Sequence, residues 1–543
     1  MMVRGEIIRI VTEEYLGTPQ GKDPTTTPLT VQSEILDEIA SRISIENAAR
    51  ASGAKWKVPD KLIPEQIAMI IAARHPVIMI STTGAMTNAT KEYSLLGLYQ
   101  TTGRNKGLYD TSDEVIDRLA SSYCFGITEY ELKEVKRNLR LLVPARVPTL
   151  DKNLIAVNNG IFDFDTKTLM DFSPEYVFTR KSQVDFNPKA YNVVIHNDTD
   201  NTDWDVESWM HELFDDIEIE RLIWQIIGAI IRPNVPWGQA AWFYSESGNN
   251  GKGTLCELMR QLCGEDAYAS IPLSDKGKDF MLEPLIRAVA VIVDENDVGT
   301  YIDKAANLKA IITGDGLQIN RKFKSPIAFQ FHGFMVQCLN EMPKIRDKSD
   351  SFYRRQIFVP FTKCFTGAER KYIKQDYLKR QAVLEYVLYK VLMMDYYELE
   401  IPKACQMALE EYKEFNDPVR QFVVEVIPEC VWDLLPFNFL YDLFIAWYHK
   451  NVGGKDVMSK KVFLKALAII LDQSDEWICE DKNKTISSAG KMEDAEPLIA
   501  EYNLTEWMNP MYKGSTDVEK KCHPSLKPNY RGWVRQSVMG SKV

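Results

Sequence analysis

The apolar run AAWFYS leads into Ser247-Gly248-Asn249-Asn250-Gly251-Lys252-Gly253-Thr254, and an amphipathic stretch from Leu255 to Leu262 follows, stopped by Gly264. Strand, glycine loop and helix in that order build a phosphate cradle. The glycines let backbone amides converge on phosphate oxygens, and a lysine at position 252 neutralises their charge. Gly248, Asn249, Asn250, Gly251, Lys252, Gly253 and Thr254 are therefore the expected phosphate contacts. The spelling is irregular: Glu246 stands where the first glycine is usual, and Gly253 stands where a metal-binding Ser or Thr normally follows the lysine. Thr254, one place late, is the remaining hydroxyl for Mg²⁺. The same Gly-Lys-Gly-Thr order serves adenylate-kinase-like P-loops.

Four further stretches add chemistry. Downstream of Lys252, Ala288–Val293 is an apolar strand ending in Asp294-Glu295. A carboxylate pair at a strand tip offers hydrolysis one acid to hold Mg²⁺ and one to polarise the attacking water. The later strand FMVQCL ends in Asn340, where an amide can orient water against a terminal phosphate. Phe352-Tyr353-Arg354-Arg355 then precedes the strand QIFVPF. An arginine there reaches a neighbour's nucleotide more easily than its own, which is the arginine-finger arrangement of a ring. Between the acids and Asn340 lies LQINRKFKSPIAFQF, read as a hairpin whose tip, Arg321-Lys322-Phe323-Lys324, pairs cations with a ring to grip single-stranded nucleic acid.

The elements that must position these residues read as an α/β core. AAWFYS, VAVIVDE, FMVQCLN and QIFVPF are nearly continuously apolar, as parallel strands buried on both faces should be. Upstream, 204–232 carries helical spacing (Trp209, Leu213, Leu222, Ile226, Ile230). The stretch 1–150 reads as mainly helical, with capping-box spacings at Thr111/Glu114 and Thr128/Glu131. IAVNNGIFDFDTKTLMDF alternates about the turn Asp165-Thr166-Lys167 and reads as a β-hairpin. Its acids Asp163 and Asp165 read first as a solvated turn, with a primase metal pair as the alternative. Beyond Asp417-Pro418 one helix carries Leu440, Phe444 and Trp447, and a second, with Ser459 as its cap, carries Leu464, Leu467 and Leu471. Two such helices before a β-prone stretch suit a winged helix.

The expected division is a mainly helical domain at 1–150, a connecting segment at 151–205, an ATPase core at 206–375, a helical, winged-helix-like domain at 376–510 and a basic tail at 511–543. Among 543 residues, 45% are hydrophobic and 26% charged, ordinary values that argue against disorder. The net charge of −11 argues against wholesale coating of nucleic acid but not against a local basic lining. Positive charge gathers in 511–543, where seven Lys or Arg face two acids, as a solvated tail or a DNA-contacting arm. The nine cysteines include no Cys-x-x-Cys pair, which disfavours zinc and a disulfide framework. No long apolar run or signal-peptide core is present, so the expectation is a protein of the host cytoplasm with no membrane partner.

Glycine loop, carboxylate pair, basic hairpin, strand-end Asn340 and Arg354-Arg355, all lying between Gly248 and Arg355, resemble the core of superfamily 3 helicases. NLKAIITGDGLQINRKFKSPIAFQF is similar to the hairpin of papillomavirus replicative helicases. NNGIFDFDTKTLMDFSPEYVFTRKSQVDFNP resembles the segment preceding the motor in poxvirus-type and in phage or plasmid helicase-primases, and DPVRQFVVE resembles the start of their small C-terminal domain. The resemblance covers roughly residues 150–500. It implies an AAA+-like fold, a hexamer, ATP and Mg²⁺, and 3′ to 5′ movement on single-stranded or forked DNA. It places Lys322 and Phe323 at the DNA-tracking tip, Asn340 at the sensor position and Arg355 at the finger, and leaves room for a primase or other replication partner. The expected function is a replicative DNA helicase of a phage or mobile element. The alternatives are a primase-helicase, for which Asp163 and Asp165 would be catalytic, and an origin-binding initiator that ATP merely locks into an oligomer.

Overall fold

Five strands lie parallel in the order Tyr268–Ala269, Ala290–Val293, Phe334–Leu339, Ala240–Tyr244, Gln356–Pro360. The four longer ones are the expected strands, and their apolar continuity has the expected cause: Ala290–Val293 and Phe334–Leu339 are buried throughout. The helices Ile217–Ile231, Lys252–Cys263 and Gln381–Met393 pack with this sheet into one core. In this computed structural model residues 3–536 are described, except 86–93, 279, 298, 303–304, 323, 346, 348, 452–456, 475, 480 and 515. The chain divides into two units, 1–406 and 407–543. No helix among the described residues is long and apolar enough to cross a membrane.

The stretch 204–232 forms two helices, because carboxylates start each one. Asp205 accepts hydrogen bonds from the Glu207 and Ser208 amides and opens Val206–Leu213; Asp216 accepts from Glu218 and opens Ile217–Ile231. The hairpin near 160 is present, with Gly160–Asp163 antiparallel to Thr168–Met170. Asp163 Oδ1 accepts the amides of Asp165 and Thr166 at 2.9 and 3.2 Å, so it shapes the turn.

The stretch 1–150 holds the helices Arg4–Gly17, Pro28–Ala48, Pro64–Arg74, Asp113–Tyr123 and Glu129–Leu142, and also a four-stranded sheet that the helical reading lacked. Its central strand, Val77–Ile80, pairs antiparallel with Leu95–Tyr99 and parallel with Ala145–Arg146. Thr128 and Glu131 form their capping box reciprocally. Thr111 and Glu114 do not. The strand Tyr109–Asp110 runs almost to the helix, Asp110 takes the Ser112 amide, and Ser112 becomes the N-cap residue.

In the second unit the chain runs helix Pro418–Glu425, strand Leu434–Pro436, helices Phe437–Asn451 and Lys460–Leu471 and strand Trp477–Ile478, then through the antiparallel pair Ile486–Ser487 and Asn529–Tyr530 and the short helices between them to strand Gly532–Arg535. Phe422, Phe444 and Phe463 meet at its centre, with the rings of Phe444 and Phe463 stacked 4.4 Å apart. Ser459 is the N-cap residue of its helix but makes no side-chain cap bond. The basic stretch 511–543 is more than a tail. Gly532–Arg535 is the middle strand of an antiparallel three-stranded sheet, Trp533 is buried, and Arg535 pairs with Asp433 and Glu476. Composition alone hid it, because the charged residues around Trp533 outweigh so short a strand.

Candidate nucleotide site and hairpin

The loop 245–251 leaves the tip of the strand Ala240–Tyr244 and delivers Lys252 to the first position of its helix. Gly251 makes the turn with φ +86°, in the left-handed region that strains any larger residue, and a Cβ there would lie 2.6 Å from Leu213 Cδ2 and push that side chain aside. Asn249 also takes a positive φ, and the buried Asn250 donates its side-chain amide to the Ser247 carbonyl. Asn250 thus ties the loop to itself.

Lys252 is buried, which lowers its pKa below the ordinary lysine value. Its ammonium donates to Asn340 Oδ1 at 3.0 Å and to the Ser245 carbonyl at 3.3 Å. Parallel pairing of Tyr244 with Leu339 sets the two strand tips side by side, which brings Lys252 and Asn340 together from distant parts of the sequence.

Asp294 follows the strand Ala290–Val293 and meets Arg260, which lies two helical turns beyond Lys252, at 2.6 Å. Burial raises the Asp294 carboxyl, but the hydrogen bond and charge of Arg260 outweigh it and hold the pKa below the ordinary range. Glu295 is exposed beside it. The next residue, Asn296, is buried and bolts the acid loop to the adjoining strand: its amide donates to Gln337 Oε1 and the Cys338 carbonyl, both at 3.0 Å, and accepts from the Leu273 amide. Behind this junction the buried thiols of Cys256 and Cys338 lie 3.3 Å apart, one on the glycine-loop helix and one on the strand of Asn340.

Sequence reasoning missed a strap, residues 361–375, that lies against the loop. Phe365 N donates to the Asn249 carbonyl at 2.8 Å, and Asn249 Nδ2 donates to Thr366 Oγ1. Lys363 bonds the Glu212 carbonyl and pairs with Asp215, while Arg370 pairs with Glu212. The cluster of cations after QIFVPF was its only sequence signal.

The hairpin forms as expected, Gly316–Arg321 pairing antiparallel with Lys324–Gln330. Its tip is partly engaged. The Arg321 guanidinium bonds the Ser325 carbonyl, and Lys324 meets Asp113 of the N-terminal region at 2.8 Å. Phe323 lies outside the described residues, and Lys322 is exposed. The return strand is also held: Thr82 donates to the Ala328 carbonyl, Gln330 N to the Thr82 carbonyl, and Gly84 N to Gln330 Oε1. Of the two arginines near 355, Arg355 folds back onto the Ser351 carbonyl, whereas Arg354 is exposed.

Three stretches match described families: 101–215 the "D5 N terminal like" family, 243–355 a family of unknown function (DUF5906), and 414–499 the "Poxvirus D5 protein-like" family. The chain is 23% identical over 349 residues to "Putative helicase L207/L206" of Acanthamoeba polyphaga mimivirus, a match over 58% of this chain and 35% of that protein. It is also 23% identical over 356 residues to "Putative helicase 121R" of Invertebrate iridescent virus 3, over 58% of this chain and 37% of that protein. Parts of this chain are thus similar to poxvirus D5-type proteins and to viral proteins described as putative helicases. The chain spans little more than a third of the length of the curated relatives it matches. A solved structure, the C-terminal region (305–718) of NrS-1, is similar over 80% of this chain and 98% of that one, at 13% identity and a TM-score of 0.41. Within the matched segments, 243–355 carries the glycine loop, both acids, the hairpin, Asn340 and Arg354-Arg355.

Proposed function

We propose that this chain is an ATP-dependent, ring-forming replicative DNA helicase of a phage or mobile element, built on an AAA+-like P-loop core. The carrying observation is the Lys252–Asn340 contact at the mouth of the glycine loop. Together these residues supply one cation for the β/γ-phosphates and one amide for the attacking water. Asp294, Glu295 and Thr254 are hard oxygen donors of the kind Mg²⁺ takes. They would hold the ion, which neutralises phosphate charge when bound. Glu295, exposed and free of Arg260, is the better placed acid for polarising water. Arg354 rather than Arg355 is the finger toward a neighbouring subunit, because Arg355 is turned inward. The hairpin, with Lys322 exposed at its tip, tracks one strand in the channel, 3′ to 5′, and the other strand is excluded.

The test is ATP hydrolysis with and without single-stranded DNA, and unwinding of forks of each polarity. Lys252→Ala is expected to abolish both activities; unwinding that survives this change overturns the proposal. Lys322→Ala with Phe323→Ala is expected to keep basal hydrolysis and lose translocation.

A second, compatible role is origin recognition. Helix, strand, helix, helix and strand follow in order in the second unit, and the distant strand Gly532–Arg535 completes their sheet at its centre, which suits a winged helix with an insertion; the helix Lys460–Leu471 exposes Lys461 and Lys465. Sequence-specific binding of duplex DNA, lost in Lys461→Ala with Lys465→Ala, checks it. Primer synthesis through Asp163 and Asp165 is the reading with least support, since Asp163 already caps a turn.

A further inference from the structure

Beside the glycine loop, between the helix Val206–Leu213 and the strap, lies a cleft of about 310 Å³ that opens on Gly251 and Thr254. Its lining surface is mainly apolar, with Glu212, Glu369 and Lys371 among the polar residues around it. Trp209 and Leu213 form one side and Phe365 and Ile373 the other, with Ala368 on the exposed rim. That size falls at the lower end of small-molecule pockets, roughly 300–1,000 Å³. Apolar walls suit the faces of a heterocyclic base, and the helix N-terminus next door suits phosphate. The cleft also carries a cation at the junction of these two halves: Lys374 Nζ lies 3.6 Å from where a Cβ on Gly253 would stand, over the first turn of the Lys252 helix, and its charge reaches Asp294. Arg370 is already paired with Glu212 and serves the wall.

We propose that this cleft is the nucleoside end of the nucleotide site, receiving the base and ribose of a nucleoside triphosphate, and that Lys374 is a second phosphate-binding cation supplied by the same chain. The proposal rests on the glycine loop being a phosphate cradle. It explains why the strap is fastened twice, to the loop through Asn249 and to the opposite wall through Glu212. Nucleotide entering the cleft touches both fastenings.

Binding of ATP and of inorganic tripolyphosphate to the full chain separates the two ends. Ala368→Trp fills the cleft from its rim, and Phe365→Ala removes a half-buried ring while keeping the amide that holds Asn249. Each is expected to raise the Kd for ATP roughly tenfold or more, the scale of a lost apolar pocket contact, and to leave tripolyphosphate binding unchanged. Lys374→Ala is expected to weaken both ligands, with Lys374→Arg restoring them. Unchanged ATP affinity in both cleft variants, or equal loss of ATP and tripolyphosphate, overturns the nucleoside assignment. Unchanged affinity in Lys374→Ala overturns the second cation. The cradle itself is read separately: Lys252→Ala must weaken both ligands, and its failure to do so removes the premise rather than the cleft.

Discussion

Lys324 sits on the expected DNA-tracking hairpin, yet its ammonium is held by Asp113, and the carboxyl and the lysine are each about half exposed (50% and 51%). Burial raises the Asp113 carboxyl, but the Lys324 hydrogen bond, with Lys136 and Arg140 nearby, outweighs it and holds the pKa below the ordinary range. The carboxylate therefore stays charged at neutral pH and, on the proposed reading, would compete with DNA phosphate for Lys324. Exposed pairs of this kind contribute about 0.2–1 kcal/mol. Asp113→Asn should cost no more than that in stability and, by releasing the lysine, tighten single-stranded DNA binding by up to about fivefold, since about 1.4 kcal/mol is a factor of ten. The salt dependence gives a second readout. One extra lysine on phosphate should steepen the slope of log K against log salt by about 0.7. Fluorescence anisotropy with a labelled oligonucleotide at several salt concentrations measures both quantities, and Lys324→Ala placed on Asp113→Asn should reverse both. An Asp113→Asn protein with unchanged affinity and unchanged slope would refute the reasoning, since Lys324 would then not be a phosphate contact restrained by Asp113.

Asn340→Ala removes the acceptor of Lys252 and the amide proposed to orient the attacking water, so kcat for ATP should fall by about 100-fold, with a smaller change in ATP affinity, in steady-state and binding measurements. Arg260→Ala removes the charge that depresses Asp294; the ionised carboxylate then persists over a narrower range, and the acid limb of the ATPase pH profile should move to higher pH. Glu496 is fully buried and its pKa is raised by burial, although its Oε2 accepts the Val431 and Trp432 amides at 2.8 and 3.1 Å. A carboxyl whose folded pKa exceeds its unfolded value stabilises below the unfolded pKa and loses that contribution as pH rises through the folded one. Glu496→Gln, which keeps an acceptor, should raise the Tm at pH 7 and flatten the decline in stability from acid to neutral pH, as read by thermal denaturation.

The core strands were legible because parallel strands buried on both faces are apolar at every position, and their tips carried the residues of the site. Lys252, Asn340 and Asp294 needed only the order of strands to be brought near one another. What stayed hidden depends on tertiary contact. Arg260 lies on an ordinary amphipathic helix, and nothing in its spacing points to Asp294. The strap 361–375 contains one short helix, Lys371–Gln375, and owes its place to side-chain ties with Glu212 and Asn249. Val77–Ile80 is a short run of consecutive apolar residues, which periodicity assigns to helix or strand with equal ease. The edge strand Tyr268–Ala269 is too short to produce any pattern. Gly532–Arg535 was masked by the charge around it.

The two thiols behind the glycine loop give this chain a clock. Cys256 and Cys338 are shut away from solvent and straddle the seam between the Lys252 helix and the strand of Asn340. A thiol reagent in solution can reach them only in the moments when that seam parts, so its rate of capture counts those openings. In a variant whose other seven cysteines are replaced by serine, the rate of capture reports how often the seam opens, and adding ATP tests whether the proposed ligand slows it.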